Sequence, residues 1–432
     1  MNELRHIIEQ EILERGPIPF SRYMELCLYH PELGYYSRHA AQFGKAGDFY
    51  TSSDVHAVFG RLLARQFDEM WRVLGGPATI VLRELGPGRG LFAQDVLDWS
   101  EKKFPEFFRA MRYELIEQSP ALRERIEQTL ERHFQSGKAT AVHGGLRREK
   151  TCKDMRPAYS ETESTGKGAT PAEREAESTG KGTSSTRADQ ESKTSGASAP
   201  EVGSSGVRNP FPMIVFANEF FDAIPVDVVS TKGSLRIDAR NGQFAETWIP
   251  SSSEELEFLD RYSIHPEEGE RGEVALQAQK IMSTVARLDR GFVIAVDYGY
   301  TREEQLAGRH RGTLKAIRQH SVSANPFEAP GEQDITADVN FTALAAAAER
   351  QGMHAQKLVT QSQFLMGIGE ANQFADAFED CRLPQERAKV ALQLKHLVTP
   401  AGMGESFHVL VAGKGVESEK VSRLSALGFG RR

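Results

Sequence analysis

Two acids flanking a glycine turn are the residues of this chain whose types and spacing most clearly suit chemistry. Ile80 to Gly90 reads Ile-Val-Leu-Arg-Glu-Leu-Gly-Pro-Gly-Arg-Gly. A short apolar run leads into Glu84, and glycines follow at alternate positions, Gly86, Gly88 and Gly90. Leu91 to Trp99 then carries apolar residues at helical spacing (Phe92, Val96, Leu97). Strand, glycine turn, helix brings bare backbone against a nucleotide-like ligand, because a Cβ would block the approach or forbid the dihedrals of the turn. A dinucleotide-binding turn is spaced Gly-x-Gly-x-x-Gly/Ala beside a pyrophosphate. Here Leu91 stands at the third small-residue position, and the carboxylate just before the turn is a poor neighbour for a pyrophosphate. It is a good neighbour for a cation. S-adenosylmethionine carries an α-amino group and a sulfonium, and Glu84 can hold its amino acid end by charge-assisted hydrogen bonds. The second acid, Glu117, ends the next apolar run (Tyr113-Glu-Leu-Ile-Glu117) one helix later. In nucleotide-binding sheets an acid there binds ribose hydroxyls. Alone, the turn is a tight connection and Glu117 a solvated strand end; together they point to adenosylmethionine.

A third group lies at the end of a later apolar run, Met213 to Ala217. It reads Asn218-Glu-Phe-Phe-Asp222-Ala-Ile-Pro225. In doubly wound sheets ligands sit at the carboxyl ends of the strands, so this edge is expected to face the group that is transferred. Methyl transfer is an in-line displacement at carbon, and the protein must hold the nucleophile and remove its proton. Asn218, Glu219 and Asp222 supply acceptors, and the two carboxylates suit the planar fork of a guanidinium. Phe220 and Phe221 supply aromatic faces, or are core residues, with Asp222 as a turn cap. Asp297-Tyr-Gly-Tyr300 forms a second candidate wall. His320 and His396 stand alone, no His/Asp/Glu cluster has metal-ligand spacing, and no metal is expected.

The elements that must position these groups alternate between strand and helix. Strands are expected at Ile80–Leu82, Tyr113–Ile116, Thr140–His143, Met213–Ala217 and Phe292–Val296, followed by an antiparallel pair, Gln356–Thr360 and Phe407–Ala412. The fold class is α/β: a doubly wound, mostly parallel Rossmann-like sheet with a final antiparallel strand. Residues 1–75 form a helical front section (Leu4–Leu13, Phe20–Leu28, Val55–Leu74) with a glycine-rich loop. Residues 76–150 hold the first half of the core. Residues 209–225 carry the fourth strand and its edge, 226–272 a β-hairpin insertion with turns at Lys232-Gly233 and Asn241-Gly242, and 273–432 the second half, opened by a helix over Glu273–Leu288. Between them, 151–208 is a low-complexity insertion. Its stretch from Ser160 to Gly206 has no aromatic, Leu, Ile or Met residue, cannot bury enough apolar surface to offset its ordering entropy, and is expected to be disordered. Thr179-Gly-Lys-Gly-Thr183 within it lacks the glycine, the Ser/Thr and the preceding strand of a phosphate loop.

Composition sets the outer bounds. The chain has 432 residues, 39% of them apolar, enough for a large core. A formal net charge of −7 gives no footprint for nucleic acid. Three cysteines (Cys27, Cys152, Cys381), widely spaced, suit a reducing compartment. No apolar run approaches membrane-spanning length and the first fifteen residues lack targeting character. The expected setting is soluble and cytoplasmic, without membrane insertion.

The chain resembles the MidA family, bacterial and mitochondrial class I methyltransferases that include the mitochondrial respiratory complex I assembly factor. The matching stretches are Gly47-Asp-Phe-Tyr-Thr-Ser52, Glu84-Leu-Gly-Pro-Gly-Arg-Gly90, Glu117-Gln-Ser-Pro120, Ala217-Asn-Glu-Phe-Phe-Asp-Ala-Ile-Pro225 and Asp297-Tyr-Gly-Tyr300, with Gly312-Thr-Leu314, Pro330-Gly331, Asp334-Ile-Thr-Ala337, Thr360-Gln361, Phe364-Leu365 and Met403-Gly-Glu405 in the same order. The resemblance implies methyl transfer from S-adenosylmethionine to a protein, with an arginine of a respiratory complex subunit as the model substrate. It also implies that Gly47, Asp48, Phe49 and Thr51 close over the cofactor and that Gln118 stands beside it. Asp338 and Asn340 stand where relatives usually have His and Asp, and the insertion has no counterpart. The expectation is a protein arginine N-methyltransferase; the alternative is a non-catalytic assembly or scaffold protein that keeps the fold.

Overall fold

The computed structural model describes residues 3–38, 57–142 and 210–429, apart from 241, 319, 320 and 324. The glycine-rich loop at 44–52, the insertion and His320 lie outside the described residues.

Six strands build the central sheet: β1 (Ile80–Leu85), β2 (Met111–Ile116), β3 (Ala139–Val142), β4 (Met213–Asn218), β5 (Gly291–Tyr300) and β6 (Phe407–Lys414). Their order is β3-β2-β1-β4-β5-β6, with the first five parallel and β6 antiparallel to β5. His354–Ala355 and Val359–Thr360 pair antiparallel with β6, as the expected final pair requires. Strand order reverses between β1 and β4, which leaves a crevice at their carboxyl ends. Five of the six β4 residues are buried, and parallel strands covered on both faces read as unbroken apolar runs.

One face carries the helices Ala57–Val73 and Leu91–Lys103, where Phe92 stacks on Phe216 with centroids 4.6 Å apart and Phe67 meets Phe216 edge-on at 5.6 Å. The other face carries Leu276–Val285 and Phe341–Glu349. Helix Ala57–Val73, grouped by sequence with the front section, therefore packs on the central sheet.

The remainder of the front section is joined to the hairpin insertion. Ile18–Pro19 pairs with Gly233–Arg240, which also pairs with Gln243–Ile249 and Asp227–Ser230; Gly272–Val274 completes this five-stranded antiparallel sheet. Leu4, Ile8 and Tyr23 from the front and Val228, Leu235 and Ile237 from the insertion share one core. The hairpin has the expected strands, and Gly233 (φ 111°) is needed because a Cβ there would lie 2.0 Å from the Ile249 carbonyl oxygen. The helix expected from Glu273 begins instead at Leu276, because Gly272–Val274 is used as the edge partner of Asp227–Ser230. A three-stranded sheet over Lys315–Arg318, Ser321–Ser323 and Asp334–Thr336 packs nearby. Among the described residues no helix is long and apolar enough to cross a membrane.

Candidate active site

The turn after β1 has the backbone its glycines predict. Gly86, Gly88 and Gly90 lie at φ 63°, 54° and 79°, the left-handed region that favours glycine. Their surroundings differ. A Cβ on Gly86 would lie 2.9 Å from the Phe220 ring, one on Gly90 would meet Leu130 and Ile126 at 3.5–3.6 Å, and one on Gly88 would meet nothing within 4 Å. Gly90 thus packs the helix that follows against Pro120–Thr129, Gly86 lets the β4 edge come close, and Gly88 leaves a bare cradle.

The two acids flank that cradle. Glu84 is buried at the end of β1, where its Oε2 accepts from the Tyr113 hydroxyl at 2.8 Å. Burial pushes its carboxyl up to about 8; the Tyr113 bond opposes this and the charge of Glu117 adds to it. Glu117 is half-buried, and its Oε1 accepts from the Ser119 N–H at 2.8 Å. Burial pushes it up to about 7 against the pull of the Ser119, Gln118 and Gly88 N–H groups. Two carboxyls raised by burial are a site that a cation would improve. Gln118 is exposed at its rim. Ser119 caps helix Pro120–Thr129, its hydroxyl accepting from Leu122.

The β4 edge is built differently. Asn218 and Glu219 are half-buried at the strand mouth, with the Asn218 amide donating to Glu219 Oε1 at 3.2 Å. Glu219 has φ 48° and donates its N–H to the Val296 carbonyl at 2.9 Å. A non-glycine residue in this region costs about 1–2 kcal/mol. The kink it makes directs the next three N–H groups at one atom: those of Phe220, Phe221 and Asp222 donate to Asp297 Oδ2 at 3.1, 2.9 and 3.3 Å. Asp297 is buried, and burial, Asp222 and Glu219 push its carboxyl well above the usual range.

Asp222 is buried behind Asn218 and Glu219. Its Oδ2 accepts from the hydroxyls of Tyr298 and Thr336, and its Oδ1 has no partner among the described residues. Burial raises its carboxyl too. Phe221 is core, while Phe220 is half-buried and meets it edge-on at 5.2 Å. The front section closes the back of the edge: the Tyr29 hydroxyl donates to the Ala223 carbonyl at 3.0 Å, and Tyr36 to Asp334 at 3.3 Å.

The structure thus brings Glu84, Gly86, Gly88, Gly90 and Glu117 to one crevice and sets Asn218, Glu219 and Asp222 beside it through the Gly86–Phe220 approach. Gly47, Asp48, Phe49 and Thr51 lie outside the described residues. Tyr113 and Thr336 were missed as site residues. A tyrosine in an otherwise apolar strand needs a hydroxyl partner when buried, which is the available signal for Tyr113; for Thr336 the signal is its place in the matching stretch Asp334-Ile-Thr-Ala337. The two departures from the family pattern have local uses. Asp338 pairs with His310 (3.1 Å) and Lys315 (3.1 Å), and Asn340 caps helix Phe341–Glu349 through Ala343. Among the described residues no His/Cys/Asp/Glu group could hold a metal.

A β3-β2-β1-β4-β5 parallel order, an antiparallel β6 beside β5 and an acid-flanked glycine cradle at the switch point define a Rossmann-like class I methyltransferase. Residues 62–359 match the family described as "Putative S-adenosyl-L-methionine-dependent methyltransferase". The chain belongs to that MidA-like family and is an S-adenosylmethionine-dependent methyltransferase. A protein arginine methyltransferase NDUFAF7 homolog, mitochondrial, of Drosophila melanogaster is 28% identical over 448 residues, covering 98% of this chain and 87% of its own. The Danio rerio protein arginine methyltransferase NDUFAF7, mitochondrial, is 28% identical over 421 residues, 94% of this chain and 85% of its own. A crystal structure from Burkholderia thailandensis, bound to S-adenosyl-homocysteine, superposes with a TM-score of 0.73 at 25% identity over 98% of this chain and 95% of that one.

Proposed function

We propose that the chain methylates an arginine side chain of a protein. The observation that carries this reading is the pairing of the Gly88 cradle with two half-buried acceptors, Asn218 and Glu219, on the neighbouring strand mouth. The cradle fits the cofactor: it is bare backbone where a ligand must approach closely, and it is flanked by acids that an α-amino group and ribose hydroxyls would satisfy. When bound, S-adenosylmethionine supplies a methyl group activated by its sulfonium.

The chain's own residues do the rest. Glu84 would hold the amino acid end of the cofactor and Glu117 its ribose, with Gln118 at the rim, and Gly86, Gly88 and Gly90 would admit it to the backbone. Gly47, Asp48, Phe49 and Thr51 would cover it. Asn218 and Glu219 would accept from the guanidinium and hold its nitrogen toward the cofactor side of the crevice, and Glu219 would take the proton that this nitrogen gives up. Asp222, buried behind them, accepts from the Tyr298 and Thr336 hydroxyls and so positions the edge rather than gripping the guanidinium itself. Support for arginine as the acceptor comes from the Glu219 carboxylate beside the Asn218 amide and from the relatives' names.

The family resemblance suggests a respiratory complex subunit as substrate. We place the reaction in the cytoplasm, with no nucleic acid or membrane insertion, on the acidic balance and the free Cys27 and Cys381. Mass spectrometry of methylarginine sites in cells with and without the gene tests the reading. The expected result is at least one site lost with the gene. Bound S-adenosyl-homocysteine with no methylated protein would favour a scaffold instead.

A further inference from the structure

A cavity of about 420 Å³ lies between the five-stranded sheet and the three-stranded sheet. That size falls in the range of ligand sites, roughly 300–1,000 Å³. Its walls mix apolar side chains (Phe20, Phe244, Leu314, Phe327) with charged and polar ones, so an occupant would need both an apolar body and a polar group. Of the charged groups that line it, Arg271 is answered by Glu246 through two bonds of 2.7 and 2.8 Å, and Lys315 by Asp338 at 3.1 Å. Glu273 is the exception. It is 4% exposed; its Oε1 accepts from the Thr313 and Leu314 N–H groups at 2.8 and 3.1 Å, and its Oε2 has no partner among the described residues.

A buried carboxylate oxygen without a donor costs about 1–3 kcal/mol or more, so a donor brought to Oε2 by a small shift of the side chains that now enclose it would be stabilising. A carboxylate or phosphate oxygen brings no donor to Oε2. A neutral apolar group would fill the walls and leave Oε2 bare. A slender apolar stem ending in a guanidinium or ammonium satisfies both, and aromatic walls favour such cations.

The cavity adjoins the methyl-transfer edge. Lys315, which lines it, has its Nζ 5.7 Å from the centroid of the Tyr298 ring, and the Tyr298 hydroxyl bonds Asp222. We infer that the cavity receives a second basic side chain of the protein substrate, distinct from the arginine that is methylated, with its head on Glu273 Oε2 and its stem along Phe244 and Phe327. This rests on the reading of the chain as a protein arginine methyltransferase. The substrate class is thereby narrowed to segments carrying two basic residues.

The test titrates the full chain, saturated with S-adenosyl-homocysteine, with Nα-acetyl-arginine amide and with its neutral isostere Nα-acetyl-citrulline amide. The arginine probe is expected to bind and the citrulline probe to bind at least about tenfold more weakly, as the loss of a charge-assisted bond requires. Glu273→Gln keeps an acceptor for Thr313 and Leu314 and should weaken the arginine probe by a similar factor. Phe327→Ser should weaken it too. Unchanged S-adenosyl-homocysteine affinity in both variants shows that the fold stands. Asn218→Ala should leave this binding intact. Arginine-probe binding that Asn218→Ala removes altogether, or that survives Glu273→Gln in the Asn218→Ala background, where the acceptor site is disabled, overturns the cavity assignment. With a methylatable protein, Glu273→Gln should raise KM about tenfold at constant kcat. If no protein is methylated, the arginine methyltransferase reading falls, while the probe titration still decides the cavity.

Discussion

The glycine turn and the β4 edge face one crevice but are built on opposite plans. The turn is short in sequence and made of backbone: three left-handed glycines between two acids, all within Glu84–Glu117. The edge is assembled from four distant stretches, 218–222, 297–298, 334–337 and the tyrosines of the front section, and side chains hold it. A site that binds one invariant small molecule can be encoded locally, because backbone shape suffices for it. A site that must orient a nucleophile needs its acceptors fixed from several directions, and tertiary contacts supply them.

Breaking the turn should give the largest effect. Gly88→Val puts a β-branched side chain at φ 54° and into the cradle. Strain alone is about 1–2 kcal/mol, and steric exclusion adds to it, so S-adenosyl-homocysteine affinity should fall more than about 100-fold by calorimetry, with the circular dichroism unchanged. Retained affinity would show that the cofactor does not use this turn.

Asp297→Ala separates the two plans. It leaves three N–H groups without their shared acceptor and should destabilise the chain by about 2–4 kcal/mol in urea unfolding. Methyl transfer should fall tens of fold, as misplacement of a nucleophile does, while S-adenosyl-homocysteine affinity changes by less than about threefold. A parallel loss of both would mean that the edge and the turn are one unit.

The acids predict a pH dependence of intermediate size. Glu84 and Glu117 have carboxyls raised to about 8 and about 7, and a cationic ligand needs them ionised. Affinity should therefore rise between pH 6 and pH 8, by about tenfold for one proton released. Glu117→Ala should weaken binding and flatten the lower part of that rise. The sign for stability is the reverse. A carboxyl raised in the folded state contributes stability below its unfolded value of 4.5 and loses it as pH climbs through about 7 and about 8, so the ligand-free chain should weaken over that window. A flat affinity profile in the wild type would remove both acids from the site.

The smallest effect probes the back of the edge. Tyr29→Phe deletes one hydrogen bond to the Ala223 carbonyl. At about 1 kcal/mol net, it should lower transfer by about threefold to fivefold and leave cofactor affinity unchanged. No change in transfer would show that the front section only covers the edge.

Much of this contrast was legible in the chain. The apolar runs of β1, β2 and β4, the alternate glycines and both acids stood in order, because parallel strands are continuous in sequence and a left-handed turn demands glycine. The edge was legible only as a set of acceptor types. Asp222 looked like an open carboxylate for a guanidinium, whereas it lies buried against Tyr298 and Thr336, residues 76 and 114 positions away. Asp297 read as a wall residue, whereas it gathers three N–H groups.

The sequence alone determined the strands and helices of the doubly wound core and the left-handed glycine turn between Glu84 and the helix from Leu91. Each element is written in residues a few positions apart, through periodicity and φ preference. Only the tertiary structure decided that the front section and the hairpin insertion form one sheet, which acids are buried, and that a carboxylate on β5 holds the kink after β4. Those depend on pairings across tens to hundreds of residues, where burial sets the state of a charge and no local pattern records its partner.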